Sequence, residues 1–333
     1  TGPHYCTVES VTGQSLAGGR PYVVTLEGDA VVDAQMEERF AQADRARADI
    51  LFVVDDSYSM EEEQETLSSE FGSFMRFAVG QGIDYNLAVT TTDVDSTTTA
   101  GKFRPIGGTN RIVTPRTPNP ESAFAANVNV GLDGSGDEQG LEAAYLALSD
   151  PNINGANAGF LRPDAVLSVI VVSDEEDSSN RPVTFYVDFL RNVKGARGAN
   201  LVTFSGIVGT GTSGCSGPGG DADRGSRYIE AANRLNGITE SICADAWGVG
   251  LQKLGLTAFG YKSRFLLTSD PSPSTIRVFL DPDGTTGPEE EFEVEPTSGF
   301  WSYTAGVNAI DFTPTAVPPA GSAIRVTYEV VCQ

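Results

Sequence analysis

The segment DILFVVDDSYSM, residues 49–60, leads from an apolar run directly into a group of oxygen-bearing side chains. A continuous apolar run such as residues 50–54 is typical of a parallel strand that is buried on both faces. Apolar residues at helical spacing follow, and three glutamates occupy the first turn of that predicted helix, where the helix dipole favours anions. The segment therefore places Asp55, Ser57 and Ser59 between the end of a buried strand and the start of a helix.

Strand-like and helix-like patterns alternate through the middle of the chain. This alternation predicts an α/β fold with a doubly wound, mostly parallel sheet, right-handed crossovers and helices on both faces. Ligands of such sheets bind beyond the carboxyl ends of the strands, which is the edge where Asp55 and Asp174 are expected. After the first strand, the predicted strands are residues 85–91, 111–114, 166–172, 201–208 and 237–243.

The pattern changes to period two near the C-terminus. Apolar and polar residues alternate in three short segments after residue 262, with Pro- and Gly-containing turns between them, and this predicts an antiparallel sheet or sandwich. Residues 21–33 have a similar pattern. We therefore predict an α/β domain, residues 47–262, inserted in a smaller antiparallel β-sandwich-like domain that is formed by residues 1–46 and 263–333.

The Asp-x-Ser-x-Ser pattern that starts at Asp55 suits a hard divalent cation, which prefers oxygen ligands. Two serine hydroxyls add no charge, and the aspartate can reach the ion directly or through water. A shell with few direct carboxylates keeps the cation electron-poor, so an anionic oxygen from outside is favoured as the last ligand. The alternative is structural, with Ser57 or Ser59 capping the N-terminus of the following helix.

With this placement, residues 47–262 resemble the von Willebrand factor type A (vWA) family, whose sheet is Rossmann-like and whose metal-ion-dependent adhesion site (MIDAS) is built from three loops. Asp55, Ser57 and Ser59 match the first loop of that site in order and spacing. Asp174, in the stretch VIVVSDEED, matches the aspartate of the third loop. The acidic residues that follow Asp174 are expected to form a solvated turn rather than an acid–base pair.

The second loop of the family site normally supplies a threonine before a helix. When Gly140 and Leu141 are set against that helix, Ser135 takes the position of the threonine and retains its hydroxyl. Asp137 is a rival ligand in the same glycine-rich loop. The resemblance implies that the site binds Mg²⁺, or else Mn²⁺ or Ca²⁺, and that a carboxylate from a protein or glycan partner completes the metal shell.

The composition of the chain disfavours several classes of binding partner and of catalytic site. The formal net charge is −23 and no run of Lys or Arg stands out, so nucleic acid and anionic membranes are repelled. No apolar stretch is long enough for direct membrane insertion. His4 is the single histidine, which excludes most triads and multi-histidine metal sites. We therefore expect that the protein is not an enzyme. A hydrolase that uses a metal ion and carboxylates is a further alternative.

Four cysteines are scattered along the chain, and none is spaced as a zinc site. An even number of scattered cysteines indicates disulfides and an oxidising compartment, the alternative being reduced thiols in a cytosolic protein. Cys215 lies in the loop after one predicted strand and Cys243 ends the next strand, so their side chains can meet at the sheet edge. We predict a Cys215–Cys243 disulfide, which leaves Cys6 to pair with Cys332.

These observations predict an extracellular or cell-surface protein that binds its partner through a metal ion in a vWA adhesion site. The alternative is a structural or assembly subunit of a surface appendage or complex, in which the metal site is vestigial or only stabilising.

Overall fold

The computed structural model describes residues 35–42, 47–108, 110–195, 201–282, 284 and 291–330, without the side chains of residues 76–81. The chain divides into two compact units. One unit is Ala43–Lys262, and the other is formed by the described residues of Thr1–Gln42 and Ser263–Gln333. Within the described residues, no helix combines the length and the apolar composition that crossing a membrane requires.

The strands and helices are numbered here in chain order. The helices are α1 (Glu61–Gln81), α2 (Pro120–Val128), α3 (Gly140–Leu148), α4 (Val183–Asn192), α5 (Ser226–Arg234) and α6 (Gly248–Ala258). The strands are β1 (Gln35–Ala41), β2 (Arg47–Val54), β3 (Asp84–Thr91), β4 (Val166–Ser173), β5 (Val202–Val208), β6 (Cys215–Gly217), β7 (Gly220–Ala222), β8 (Thr239–Ser241), β9 (Arg264–Leu266), β10 (Arg277–Asp281), β11 (Phe292–Glu293), β12 (Trp301–Thr304), β13 (Ala309–Phe312) and β14 (Ala323–Glu329).

The first unit is built on a five-stranded sheet in the order β3-β2-β4-β5-β8, and every neighbouring pair is parallel. Successive residues of β2 point to opposite faces, as the geometry of a strand requires. Phe52 packs against Phe71 of α1 and Phe124 of α2 on one face. Leu51 and Val53 join the core formed with α3, α4 and α5 on the other. Burial on both faces explains the continuous apolar run and confirms the predicted α/β sheet.

The second unit contains two antiparallel sheets, in the orders β1-β14-β10-β11 and β12-β13-β9. Phe40 of β1 contacts Phe265 of β9, with ring centroids 5.4 Å apart, so side chains from the two sheets share a core. This arrangement is the predicted antiparallel, sandwich-like fold. Because β1 pairs with β14 along its full length, strands from before and after the α/β unit belong to the same sheet. The predicted strand within residues 21–33 lies outside the described residues.

One strand prediction in the α/β unit is wrong. Residues 111–114 form no strand, and only Val113 pairs with Leu87 in an isolated antiparallel bridge. Side chains of the flanking residues hold local turns instead, because Asn110 accepts from the N–H of Ile112 and Thr117 accepts from the N–H of Thr114. Such local bonds compete with extension of the ladder. Elements absent from the prediction are β1, α2, the β6–β7 hairpin and the short strands β9, β12 and β13.

The structure contains a disulfide between Cys215 and Cys243, the pair that the sequence analysis predicted, with the Cα atoms 6.1 Å apart. The bridge ties the β6–β7 hairpin to the segment after β8. Directly after the hairpin, the N–H of Asp223 donates to the main-chain oxygen of Asp174 at 2.8 Å, so the anchored hairpin supports the loop that begins at Asp174. The predicted Cys6–Cys332 pair lies outside the described residues.

Candidate metal-binding site

Three loops meet at the carboxyl ends of the central strands, and we call this region the loop edge. The first loop, residues 55–59, follows β2, and the third loop, residues 174–179, follows β4. The second loop, residues 131–139, precedes α3. Because β2 and β4 are parallel neighbours, the first and third loops start side by side.

The first loop surrounds a fully buried carboxylate, that of Asp55. Its Oδ1 accepts from the N–H of Ser57 at 2.8 Å, and its Oδ2 accepts from the hydroxyl of Ser173 at 2.6 Å. The hydroxyls of Ser57 and Ser59 lie 3.1 Å apart. Ser57 precedes the turn that leads into α1 but makes no side-chain capping bond, so the helix-cap alternative for Ser57 is wrong.

The third loop brings the carboxylate of Asp174 to the same place. The side chain is only 6% exposed, and its Oδ1 has no hydrogen-bond partner. Burial raises the pKa of Asp174, a hydrogen bond with Ser59 opposes this rise, and the charge of Asp55 adds to it. The structure therefore brings together four of the residues that the sequence analysis selected: Asp55, Ser57, Ser59 and Asp174.

Neither predicted residue of the second loop joins this group. The hydroxyl of Ser135 donates to Asp95 at 3.3 Å and accepts from the N–H of Asp137, and the Asp137 side chain is exposed. Glu138 takes the inner position instead, at 1% exposure. Its Oε2 accepts a hydrogen bond from Thr92, and its Oε1 has no partner.

Sequence reasoning missed Glu138 because a glutamate in a Gly/Ser/Asp-rich loop reads as solvated. Burial first, and then the charge of Asp55, raise the pKa of Glu138 to about 9. The carboxyl group of Asp55 is thus a close neighbour of that of Glu138 and adds to the rise in its pKa. The local sequence carries no signal that would have selected Glu138, which stands two residues before Gly140 in a loop without periodicity.

Side chains outside the loops hold them in register. The amide of Gln64, on α1, donates to the main-chain oxygens of Asp55 and Gly131 at 3.0 and 2.9 Å, and it accepts from the N–H of Gly131. Ser178, in the third loop, donates to the main-chain oxygen of Glu138 through its N–H and its hydroxyl. The first loop is therefore tied to the second, and the second to the third.

Two of the acidic residues after Asp174, Glu176 and Asp177, serve the framework, so the expectation of a solvated turn is wrong for these two. Asp177 is buried, accepts from the N–H of Leu141 at the start of α3, and pairs with Arg227 at 2.7 Å. Glu176 accepts from the first N–H groups of α5. Both carboxylates bind helix N-termini, where the free N–H groups and the helix dipole favour negative charge.

Unpartnered carboxylate oxygens are concentrated at the loop edge. Five buried side-chain nitrogen or oxygen atoms lack a hydrogen-bond partner among the described residues. One is the Nε of Arg104, and the others are single oxygens of Asp56, Glu63, Glu138 and Asp174. Burial is the main cause that raises the pKa of Asp56 to about 6 and that of Glu63 to about 7.

This donor set fits a divalent cation. Buried carboxylates without partners are costly, and a hard cation binds carboxylate and hydroxyl oxygens of this kind. Across the part of the chain that the structure describes, no three acidic, histidine or cysteine side chains already stand close enough to hold an ion. Acidic side chains alone therefore do not complete a site, and a cation bound here would also need the hydroxyls of Ser57 and Ser59 as ligands.

The strand order, the parallel pairing and the three loops at the carboxyl edge decide the fold of the first unit. This unit has a vWA-like fold. No family model and no curated protein matches the chain.

Solved structures of vWA-like proteins are similar to the chain at low sequence identity. A von Willebrand factor type A protein from Catenulispora acidiphila is 12% identical over 92% of this chain and 68% of its own, with a TM-score of 0.39. Proximal thread matrix protein 1 from the mussel byssus, solved with a zinc-occupied MIDAS motif, is 15% identical over 67% of this chain and 48% of its own, with a TM-score of 0.40.

The pilus adhesin SpaC from Lactobacillus rhamnosus GG is 12% identical over 90% of this chain and 41% of its own, with a TM-score of 0.39. This chain thus spans less than half the length of the mussel protein and of the adhesin. The fold assignment rests on the strands and connections of this chain.

Proposed function

We propose that the vWA-like unit binds a divalent cation at the loop edge, Mg²⁺ or else Mn²⁺ or Ca²⁺, and through it binds an extracellular protein or glycan. The observation that carries the proposal is the group of unpartnered, buried carboxylate oxygens beside two hydroxyls that lie 3.1 Å apart. No Lys or Arg among the described residues forms an ion pair with Asp55 or Asp174. A cation would supply the positive charge that Asp55 and Asp174 lack.

The proposed ligands contribute differently to binding of the cation. Asp55 and Asp174 contribute negative charge, and Ser57 and Ser59 contribute neutral oxygens that leave the ion electron-poor. Bonds to Ser173 and to the N–H of Ser57 fix the orientation of Asp55. When bound, the cation offers a coordination position to an oxygen of the partner, and the sequence analysis expects that oxygen to come from a carboxylate.

The proposed setting is extracellular or at the cell surface. The Cys215–Cys243 disulfide supports an oxidising compartment, and the net charge of −23 disfavours nucleic acid and anionic lipid as partners. The structures of similar fold include a matrix protein and a pilus adhesin, and the proposal falls in the same general class of adhesion or assembly.

The test combines metal binding with partner binding. We expect Mg²⁺ or Mn²⁺ to raise the temperature at which the helices unfold, because an ion at 100 times its dissociation constant stabilises the folded state by about 2.7 kcal/mol. The immobilised full chain would then be probed with arrays of extracellular proteins and glycans in Mg²⁺ and in EDTA.

Binding that disappears in EDTA and returns with Mg²⁺ supports the proposal. Equal binding in both solutions would contradict it and would favour an assembly role in which the ion is dispensable.

A further inference from the structure

We infer that Glu138 is the second-loop ligand of the cation at the loop edge, in the place where the vWA resemblance expects a hydroxyl. The inference rests on the proposed function, because it concerns the same site. It differs from the sequence expectation in the identity of the ligand and in the charge that the second loop contributes.

The position of Glu138 is fixed by the main chain on both sides. The N–H of Gln139 donates to the main-chain oxygen of Thr92, which follows β3, at 3.3 Å. The main-chain oxygen of Glu138 accepts from the N–H of Ser178 in the third loop at 2.7 Å. Glu138 is therefore held between the end of β3 and the third loop, and its side chain is directed into the protein.

The side chain of Glu138 lacks one of the partners that a buried carboxylate needs. Thr92 donates to Oε2, whereas Oε1 has no partner. Its carboxyl neighbour is that of Asp55, which is itself fully buried. Among the described residues, no Lys or Arg pairs with Glu138. Two buried carboxylates side by side cannot both stay charged unless a cation lies between them, and without one the pair holds a proton instead.

The two rival residues of the second loop lack these properties. Ser135 already bonds to Asp95 and to the N–H of Asp137, and both of these residues are exposed. Asp137 is exposed and keeps its hydration without an ion. Among the three candidate residues of the second loop, Glu138 alone combines burial, a free oxygen and a neighbouring carboxylate of the first loop.

A glutamate ligand changes the charge of the site. With Asp55 and Asp174 it provides three carboxylates, whereas a hydroxyl in the second loop would leave two. The three do not yet stand close enough to hold an ion together, so the inference requires that their side chains move inward when the cation binds. Affinity for hard cations rises with the number of charged ligands, so the third carboxylate strengthens binding of the ion. It also weakens the preference for a carboxylate from the partner that the resemblance implies.

The experiment is calorimetric titration of the full chain with Mn²⁺ and with Mg²⁺. The wild-type chain is compared with Glu138→Gln and with the two rivals, Ser135→Ala and Asp137→Asn. We expect Glu138→Gln to lose affinity by roughly 10–100-fold or more, since even residues that only support a metal ligand contribute that much. The two rival variants should bind like the wild type.

Stability in EDTA separates a ligand from a residue that only maintains the fold. Without metal, Glu138→Gln should be as stable as the wild type or more stable, because glutamine retains an acceptor for Thr92 and is neutral beside Asp55. If this variant does not fold, Glu138→Asp keeps the charge but withdraws the carboxylate, and it should lose affinity as well.

Three outcomes would overturn the inference. Undiminished affinity in the folded Glu138 variant would do so, and so would an equal loss of affinity in Ser135→Ala or Asp137→Asn. A wild-type chain that binds neither ion would overturn the proposed function and this inference with it. Metal binding by the wild type together with an unaffected Glu138 variant would remove the inference alone.

Discussion

Replacing Asp174 with alanine is expected to lower the affinity for Mg²⁺ and Mn²⁺ by more than roughly 100-fold, because residues that merely support a ligand already contribute about 10–100-fold. The side chain follows the end of β4 and leaves one oxygen unpartnered, so its loss removes a carboxylate from the loop edge and little from the apolar core. Calorimetric titration measures the affinity, and circular dichroism shows whether the helices remain.

The matched control for this variant is Asp188→Ala. Asp188 is an exposed aspartate of α4 and lies away from the loops, so this change alters the net charge by the same amount. Equal losses of affinity in the two variants would mean that overall charge, and not the loop edge, attracts the ion. Undiminished binding in Asp174→Ala would remove Asp174 from the site.

Replacing Asp49 with asparagine is expected to destabilise the vWA-like unit by about 3–5 kcal/mol, the usual cost of breaking a buried ion pair. Asp49 lies in β2 near the edge opposite the loops. It accepts from Arg162 at 2.7 Å and from Lys194 at 3.3 Å, and the Lys194 side chain has no exposed surface. The substitution leaves that ammonium group buried without its counter-charge.

Urea unfolding followed by the α-helical circular dichroism signal measures this loss, because all the α-helices among the described residues belong to the vWA-like unit. The control is Arg47→Ala at the same edge. Arg47 pairs with Asp84 and Asp164 where all three side chains are about half exposed, and such pairs contribute about 0–1 kcal/mol. A small effect of Asp49→Asn, equal to that of the control, would contradict a structural role for the buried cluster.

The sheet and the loop edge could be predicted because local patterns carry them. The apolar run of β2 faces helices on both sides, and the same strand places Asp55 at its carboxyl end. Parallel pairing of β2 with β4 then fixes Asp174 beside it. Strand length, strand direction and residue order are sufficient for these inferences, and no long-range detail is needed.

The second loop could not be predicted in the same way. Ser135 and Glu138 both lie in a loop whose residues give no periodic signal, and which of them faces inward depends on contacts with distant residues. Gln64 holds the start of the loop and Ser178 holds its end. These bonds turn Glu138 toward Asp55, and nothing in the local sequence records them.

In the β-rich unit, too, some strands could be predicted from the sequence and others could not. The alternation in β10 and β14 is long enough to be recognised, whereas β9, β12 and β13 have only three or four residues each. Their extended conformation depends on pairing between strands that are distant in the sequence. In the α/β unit, the strand predicted at residues 111–114 does not form, because local turns held by side chains such as that of Asn110 replace it.

The most direct test of the central claim is anomalous diffraction from crystals of the full chain grown or soaked with Mn²⁺. A manganese peak is expected at the loop edge, with the surrounding oxygens supplied directly or through water by Asp55, Ser57, Ser59, Asp174 and Glu138. A peak located elsewhere, or no peak at the loop edge when the crystals contain manganese in excess, would contradict it.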